Sequence, residues 1–229
     1  MKKLNLKTLV GTLVIGALSA TSSMAGNFGV GVTAKGAYLE TTGTETLKTT
    51  SVKSSATENA EALIPSGFVQ YTFGDNGFVL GFDYVAGEAN LGGATNSVQV
   101  IPDANTTATS VTVTQDASAQ LRDHWTIYAE TPAYTPLGLY AKIGYSEVTV
   151  ETTETLGTGA TYGNADVEGT TFGLGMRSGG QGLMIKVEAS YTDYDAIALT
   201  SSADSAGATN TINADSEMWG AALSVGYNF

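Results

Sequence analysis

The chain has 229 residues, 22 Asp and Glu against 10 Lys and Arg, a formal charge of −12 and no cysteine. Such acidity argues against nucleic acid as a partner, and the missing cysteines exclude disulfides, thiolate metal sites, a cysteine nucleophile and a lipoprotein anchor. With 42% hydrophobic residues, 14% charged residues and 28 glycines, the composition fits a strand-rich folded chain rather than a disordered or coiled-coil one.

Lys2, Lys3 and Lys7 precede an apolar stretch from Leu9 to Leu18, and Ser23-Met24-Ala25 is small where a signal peptidase reads. This pattern is a secretory leader over residues 1–25, cleaved after Ala25 to leave a mature domain of residues 26–229. No later segment approaches the roughly 20 apolar residues of a spanning helix.

From there the chain alternates with period two. Phe28, Val30, Val32, Ala34, Gly36 and Tyr38 face away from Gly29, Gly31, Thr33, Lys35 and Ala37. Leu63, Pro65, Gly67, Val69, Tyr71 and Phe73 oppose Ile64, Ser66, Phe68, Gln70 and Thr72. A turn at Gly74-Asp75-Asn76-Gly77 leads into Phe78, Leu80, Phe82 and Tyr84, set against Val79, Gly81, Asp83 and Val85. The fourth segment sets Leu121, Trp125, Ile127 and Ala129 against Arg122, His124, Thr126, Tyr128 and Glu130. The fifth opposes Leu137, Leu139, Ala141, Ile143 and Tyr145 to Gly138, Tyr140, Lys142, Gly144 and Ser146. Phe172, Leu174 and Met176 then oppose Gly173, Gly175 and Arg177. In the seventh segment, Leu183, Ile185, Val187, Ala189 and Tyr191 oppose Met184, Lys186, Glu188 and Ser190. The last sets Trp219, Ala221, Leu223, Val225, Tyr227 and Phe229 against Gly220, Ala222, Ser224, Gly226 and Asn228.

Alternation alone fits either a soluble sandwich or a barrel. Three features choose the barrel. The apolar faces carry one charge, Asp123, near a strand end, whereas a Lys or Arg on a lipid face costs about 2–4 kcal/mol at the midplane. Connections alternate, with long ones near 40–61, 88–118, 151–167 and 194–216 and short ones near 74–77, 131–136 and 178–182. Aromatics gather at both ends of the apolar faces. Phe28, Phe73, Phe78, Tyr227 and Phe229 form one girdle; Tyr38, Tyr84, Trp125, Tyr145, Tyr191 and Trp219 form the other. The expected fold is all-β, an eight-stranded antiparallel up-and-down transmembrane β-barrel.

The opposite faces define a lumen charge network of Lys35, Asp83, Arg122, His124, Glu130, Lys142, Arg177, Lys186 and Glu188; after the leader the only other basic residues are Lys48 and Lys53. Eight strands enclose little more than their own side chains. The network therefore reads as an ion-paired plug, with Asp83 and Glu188 as acceptors and Arg122, Lys142 and Lys186 as donors. An anion-preferring passage is the alternative. His124 and Thr126 share a face and invite comparison with a hydrolase pair, but their parity points them inward, away from lipid, so no catalytic residue is assigned. Asp193-Tyr194-Asp195 lacks the glycine and glutamate of a calcium loop, and neither metal nor cofactor is expected. Residues 97–101 and 110–114 alternate again, which suggests a hairpin rising above the membrane.

The C-terminal run Leu223-Ser224-Val225-Gly226-Tyr227-Asn228-Phe229 ends in an aromatic with apolar residues at alternate positions. It resembles the terminal strand by which bacterial outer-membrane proteins are recognised for assembly, with Tyr227 and Phe229 as the signal. The mature chain resembles small eight-stranded barrels of the OmpA transmembrane-domain, OmpX and opacity-protein kind. That resemblance implies the bacterial outer membrane, contact with its lipids and lipopolysaccharide and with its assembly machinery, and a monomeric state. The expected role is structural or surface-interactive, through long acidic loops meeting an extracellular ligand. A small anion-preferring channel and a lipid-modifying enzyme are the alternatives.

Overall fold

The computed structural model describes residues 26–47, 51, 53–74, 77–100, 111–155, 160–178, 180–203 and 209–229. The expected leader, Lys48 and the turn residues Asp75 and Asn76 fall outside them.

Nine strands form one sheet: β1 (Gly26–Leu47), β2 (Lys53–Phe73), β3 (Val79–Val85), β4 (Ala89–Val100), β5 (Val111–Glu130), β6 (Leu139–Thr155), β7 (Ala165–Arg177), β8 (Gly182–Thr200) and β9 (Asn210–Asn228). Each pairs antiparallel with its neighbour, and β9 returns to β1. The ring closes because β3 pairs with both β2 and β5. β3 and β4 pair with successive stretches of β5, so together they make one wall position, interrupted at Ala86-Gly87-Glu88 where Gly87 has φ 125°. The wall is thus eight strands around. Closure leaves no sheet edge in the hydrocarbon, which is what a bilayer demands of a β-structure.

Side chains follow the parity expected from the sequence. Between Phe28 and Gly36, and between the girdles of the other strands, outward positions among the described residues carry no charged residue; Glu61 stands opposite Tyr38 at the outer girdle. Many are large and bare: Val32, Leu63, Leu174, Leu183, Leu223 and Phe229 are each more than half exposed. The aromatic girdles are contiguous. Tyr191 and Trp219 lie 4.6 Å apart, Trp125 and Tyr145 5.6 Å, and Tyr227 and Phe229 5.1 Å between ring centroids. Tyr71 joins the lower girdle at 4.9 Å from Phe73, and Phe82 stacks near Trp125 in the upper one.

Two expectations need correction. The segments read as long outer loops are mostly strand. β1 continues to Leu47 and β2 begins at Lys53, and β4 with β5 forms the rising hairpin. Thr and Ser have few apolar neighbours there, but they suit an extended backbone and pair across it, as in Thr42–Thr57 at 3.0 Å and Thr44–Ser55 at 2.8 Å. The second correction concerns Arg122. β5 shifts register between Arg122 and Trp125, where Asp123 takes φ 51°, and this irregularity moves Leu121 inward and Arg122 to the outer flank. There Arg122 pairs with Glu88 and, at 2.9 Å, with Glu151.

Candidate functional site

The lumen has three storeys, each dictated by which side chains the inward parity supplies. At the bottom lies a charged plug. Glu130 is fully buried, and its two carboxylate oxygens accept from Arg177 and Lys186, themselves buried. Arg177 also donates to the carbonyls of Gly77 (2.8 Å) and Thr131 (3.3 Å), tying the first and second short turns together. Lys142 donates to Glu188 at 2.8 Å, and the Tyr140 hydroxyl donates to the other Glu188 oxygen at 2.9 Å. Tyr128 and Tyr140 lay their rings beside these cations, with the Lys142 ammonium 4.5 Å from the Tyr128 centroid. They fit only because of glycine: a Cβ on Gly81 would stand 2.2 Å from the Tyr128 ring, and one on Gly175 2.6 Å from the Tyr140 ring.

Above the plug runs a hydroxyl belt. Thr126, Ser146, Thr171 and Thr192 form a chain with successive 2.8 Å contacts, and Thr33 meets Ser224 at 2.7 Å. His124 sits just above, with the Tyr194 hydroxyl 3.4 Å from its Nε2. Thr126 is committed to Ser146, so the pair that suggested hydrolase chemistry is not brought together. Among the described residues, no three metal-ligating side chains converge.

The top storey is the part that sequence reading missed. Leu39, Leu91, Leu121, Val148, Val150, Val167, Ile197, Leu199 and Ile212, with Tyr194 and Ala214, line an apolar cavity of about 170 Å³. It lies at and above the level of the outer girdle, since Tyr38 pairs with Trp219 and Leu39 with Met218. The outward face at this height is acidic: Glu40, Glu217 and Asp193 are cross-strand neighbours, as are Glu147 and Glu168. Tyr84 donates to Asp123 at 2.9 Å, and Tyr145 and Tyr191 bond Glu168 and Glu217. The polarity of the alternation has inverted.

Over the mouth, residues 160–164 form a strap. The Tyr162 hydroxyl donates to Glu45 on β1 (2.8 Å), and Thr161 exchanges backbone and side-chain bonds with Ser202. Burial, and then the bond to Glu45, push the Tyr162 hydroxyl above its ordinary pKa, keeping it a donor. The wall beside the chamber is incomplete. Among the described residues, β2 pairs with β3 only over Ser66–Thr72, the Pro65 carbonyl accepts from the Ala86 amide at 3.3 Å, and no ladder joins β2 to β4 above that point.

The closed ring, the uncharged belt and its two girdles are the features of strands that cross a bilayer. This chain has the fold of outer-membrane β-barrels. The structure of the outer membrane protein AlkL in lipid bilayers matches the barrel with a TM-score of 0.53 at 10% identity, covering 90% of this chain and 91% of that one. The outer membrane protein OprG from Pseudomonas aeruginosa gives 0.48 at 10% identity over 90% and 97% of the two chains. The outer membrane protease OmpT from Escherichia coli gives 0.48 at 9% identity over 89% and 97%. No protein-family model matches the sequence, and no curated protein does.

The sequence-derived lumen residues divide accordingly. Glu130, Arg177 and Lys186 come together, as do Lys142 and Glu188, while Asp83 accepts from the Ser66 hydroxyl at 2.8 Å. Lys35 lines the same polar space, His124 stands above it, and Arg122 lies outside.

Proposed function

We propose that the barrel captures a small apolar molecule at the cell surface, in the chamber above the hydroxyl belt. The observation that carries this reading is the inverted alternation: aliphatic side chains turn inward where the strands have already left the hydrocarbon. A chamber of this size is on the order of one that holds a benzene ring, and such sites gain their affinity from apolar burial. The ion-paired plug supports a lumen closed to steady ionic current. The acidic flank formed by Glu40, Glu217, Asp193, Glu147 and Glu168 supports a second, surface-interactive role. Its neighbours there would be lipopolysaccharide and the outer-membrane lipids around a monomeric barrel.

The test uses the valines as reporters. With valine methyls labelled and the barrel in lipid nanodiscs, p-xylene should cause saturable NMR shifts at Val148, Val150 and Val167. Lipid-facing Val32, Val187 and Val225 should change only in proportion to p-xylene dissolved in the bilayer. Val150→Trp fills the chamber and should weaken the saturable response at Val148 and Val167 at least tenfold. Equal, unsaturable shifts on both sets of valines would refute the reading.

A further inference from the structure

We infer that the plug holds one small monovalent anion, of chloride's size, between Lys35, Lys142 and Lys186. Among the described residues, the lower lumen contains four cations, Lys35, Lys142, Arg177 and Lys186, against three carboxylates, Asp83, Glu130 and Glu188. Glu130 already serves two of the cations and Glu188 a third. Asp83 accepts from Ser66, and among the described residues Lys35 makes no hydrogen bond or contact ion pair, although Asp83 and Glu188 are near enough to attract it. With all seven groups ionised, one positive charge is left over inside a closed, ion-paired interior. An uncompensated buried charge costs several kcal/mol.

The space beside Lys35 suits a counter-ion of one size only. It is lined by Lys35, Lys142 and Lys186, by the carboxylates of Asp83 and Glu188, and by Thr33, Thr126 and Thr171, so cations outnumber carboxylates by one around it, and its volume is about 20 Å³. That is room for a single water-sized species, which admits a halide and excludes phosphate, sulfate or a carboxylic acid. Water in the same place solvates the ammonium groups without cancelling their charge. An anion does both, and the three ammonium groups around it are donors. This site lies between the ion pairs and the hydroxyl belt and is independent of what the chamber above the belt binds.

Thermal unfolding of the full barrel in detergent, compared in sodium chloride and sodium gluconate at equal ionic strength, tests the site. Gluconate is too large to enter. The barrel should melt several degrees higher in chloride, and Lys35→Met should abolish the difference. Crystals soaked in bromide should show an anomalous peak within hydrogen-bonding distance of the Lys35 Nζ. Equal melting in the two salts, a chloride effect that survives Lys35→Met, or a bromide-soaked lumen without a peak would each overturn the proposal. Should Lys35→Met not fold, the wild-type comparison and the bromide peak decide it.

Discussion

Glu130→Gln should lower the stability of the folded barrel by about 3–5 kcal/mol, the usual cost of removing one partner from a buried ion pair. Glutamine preserves the shape and most of the hydrogen-bonding capacity, so the loss isolates the charge. Arg177 and Lys186 would remain, both buried, with no carboxylate between them. The fitting control is Arg122→Ala. Its side chain is 42% exposed and its partners lie on the outer flank, where such pairs contribute about 0–1 kcal/mol. Urea unfolding in lipid vesicles, followed by fluorescence of Trp125 and Trp219, measures both. A Glu130→Gln cost no larger than that of Arg122→Ala would mean that the lower lumen is wet enough to solvate its cations.

Leu223→Arg should cost about 2–4 kcal/mol in the same assay, although Leu223 is already 52% exposed and touches little of the protein. On a soluble surface a substitution at such a site usually stays within about 0.5 kcal/mol. The difference arises because Leu223 lies midway between the girdle residues Trp219 and Tyr227, where arginine must be desolvated or bent toward the headgroups. A neutral outcome would show that this face is bathed in water.

How far the sequence reveals this molecule depends on which physical signal each part leaves. The membrane belt is legible because lipid tolerates almost no charge, and period two records that constraint at every second residue of each strand between the two girdles. Lumen composition is legible for the same reason in reverse. Ion-pair identities are not, since they depend on the stagger between strands: Glu130 meets Lys186 across a separation of 56 residues. Arg122 misleads because one irregularity at Asp123 reverses the parity of everything N-terminal to it in β5.

The chamber leaves a trace that is easily read as loop. Val148 and Val150 alternate with Glu147, Thr149 and Glu151, while Ile212 and Ala214 alternate with Asn213 and Asp215. Each is the pattern of a water-exposed strand with an apolar inner face. Its position immediately beyond a girdle aromatic, with the polar parity exchanged, marks where the wall leaves the membrane and continues into water. No single residue announces that change. It is visible only when the inward positions of several strands are set side by side.

The most direct test of the spanning geometry uses the absence of native cysteine. Single cysteines placed in turn from Trp219 to Tyr227, spin-labelled in lipid vesicles, report collision rates with dissolved oxygen and with a water-soluble nickel complex. Oxygen contact should oscillate with period two, peaking at Trp219, Ala221, Leu223, Val225 and Tyr227, with little contact by either reagent at Ala222 and Ser224. Oxygen peaks at Ala222, Ser224 and Gly226, or nickel contact at Leu223, would contradict the account.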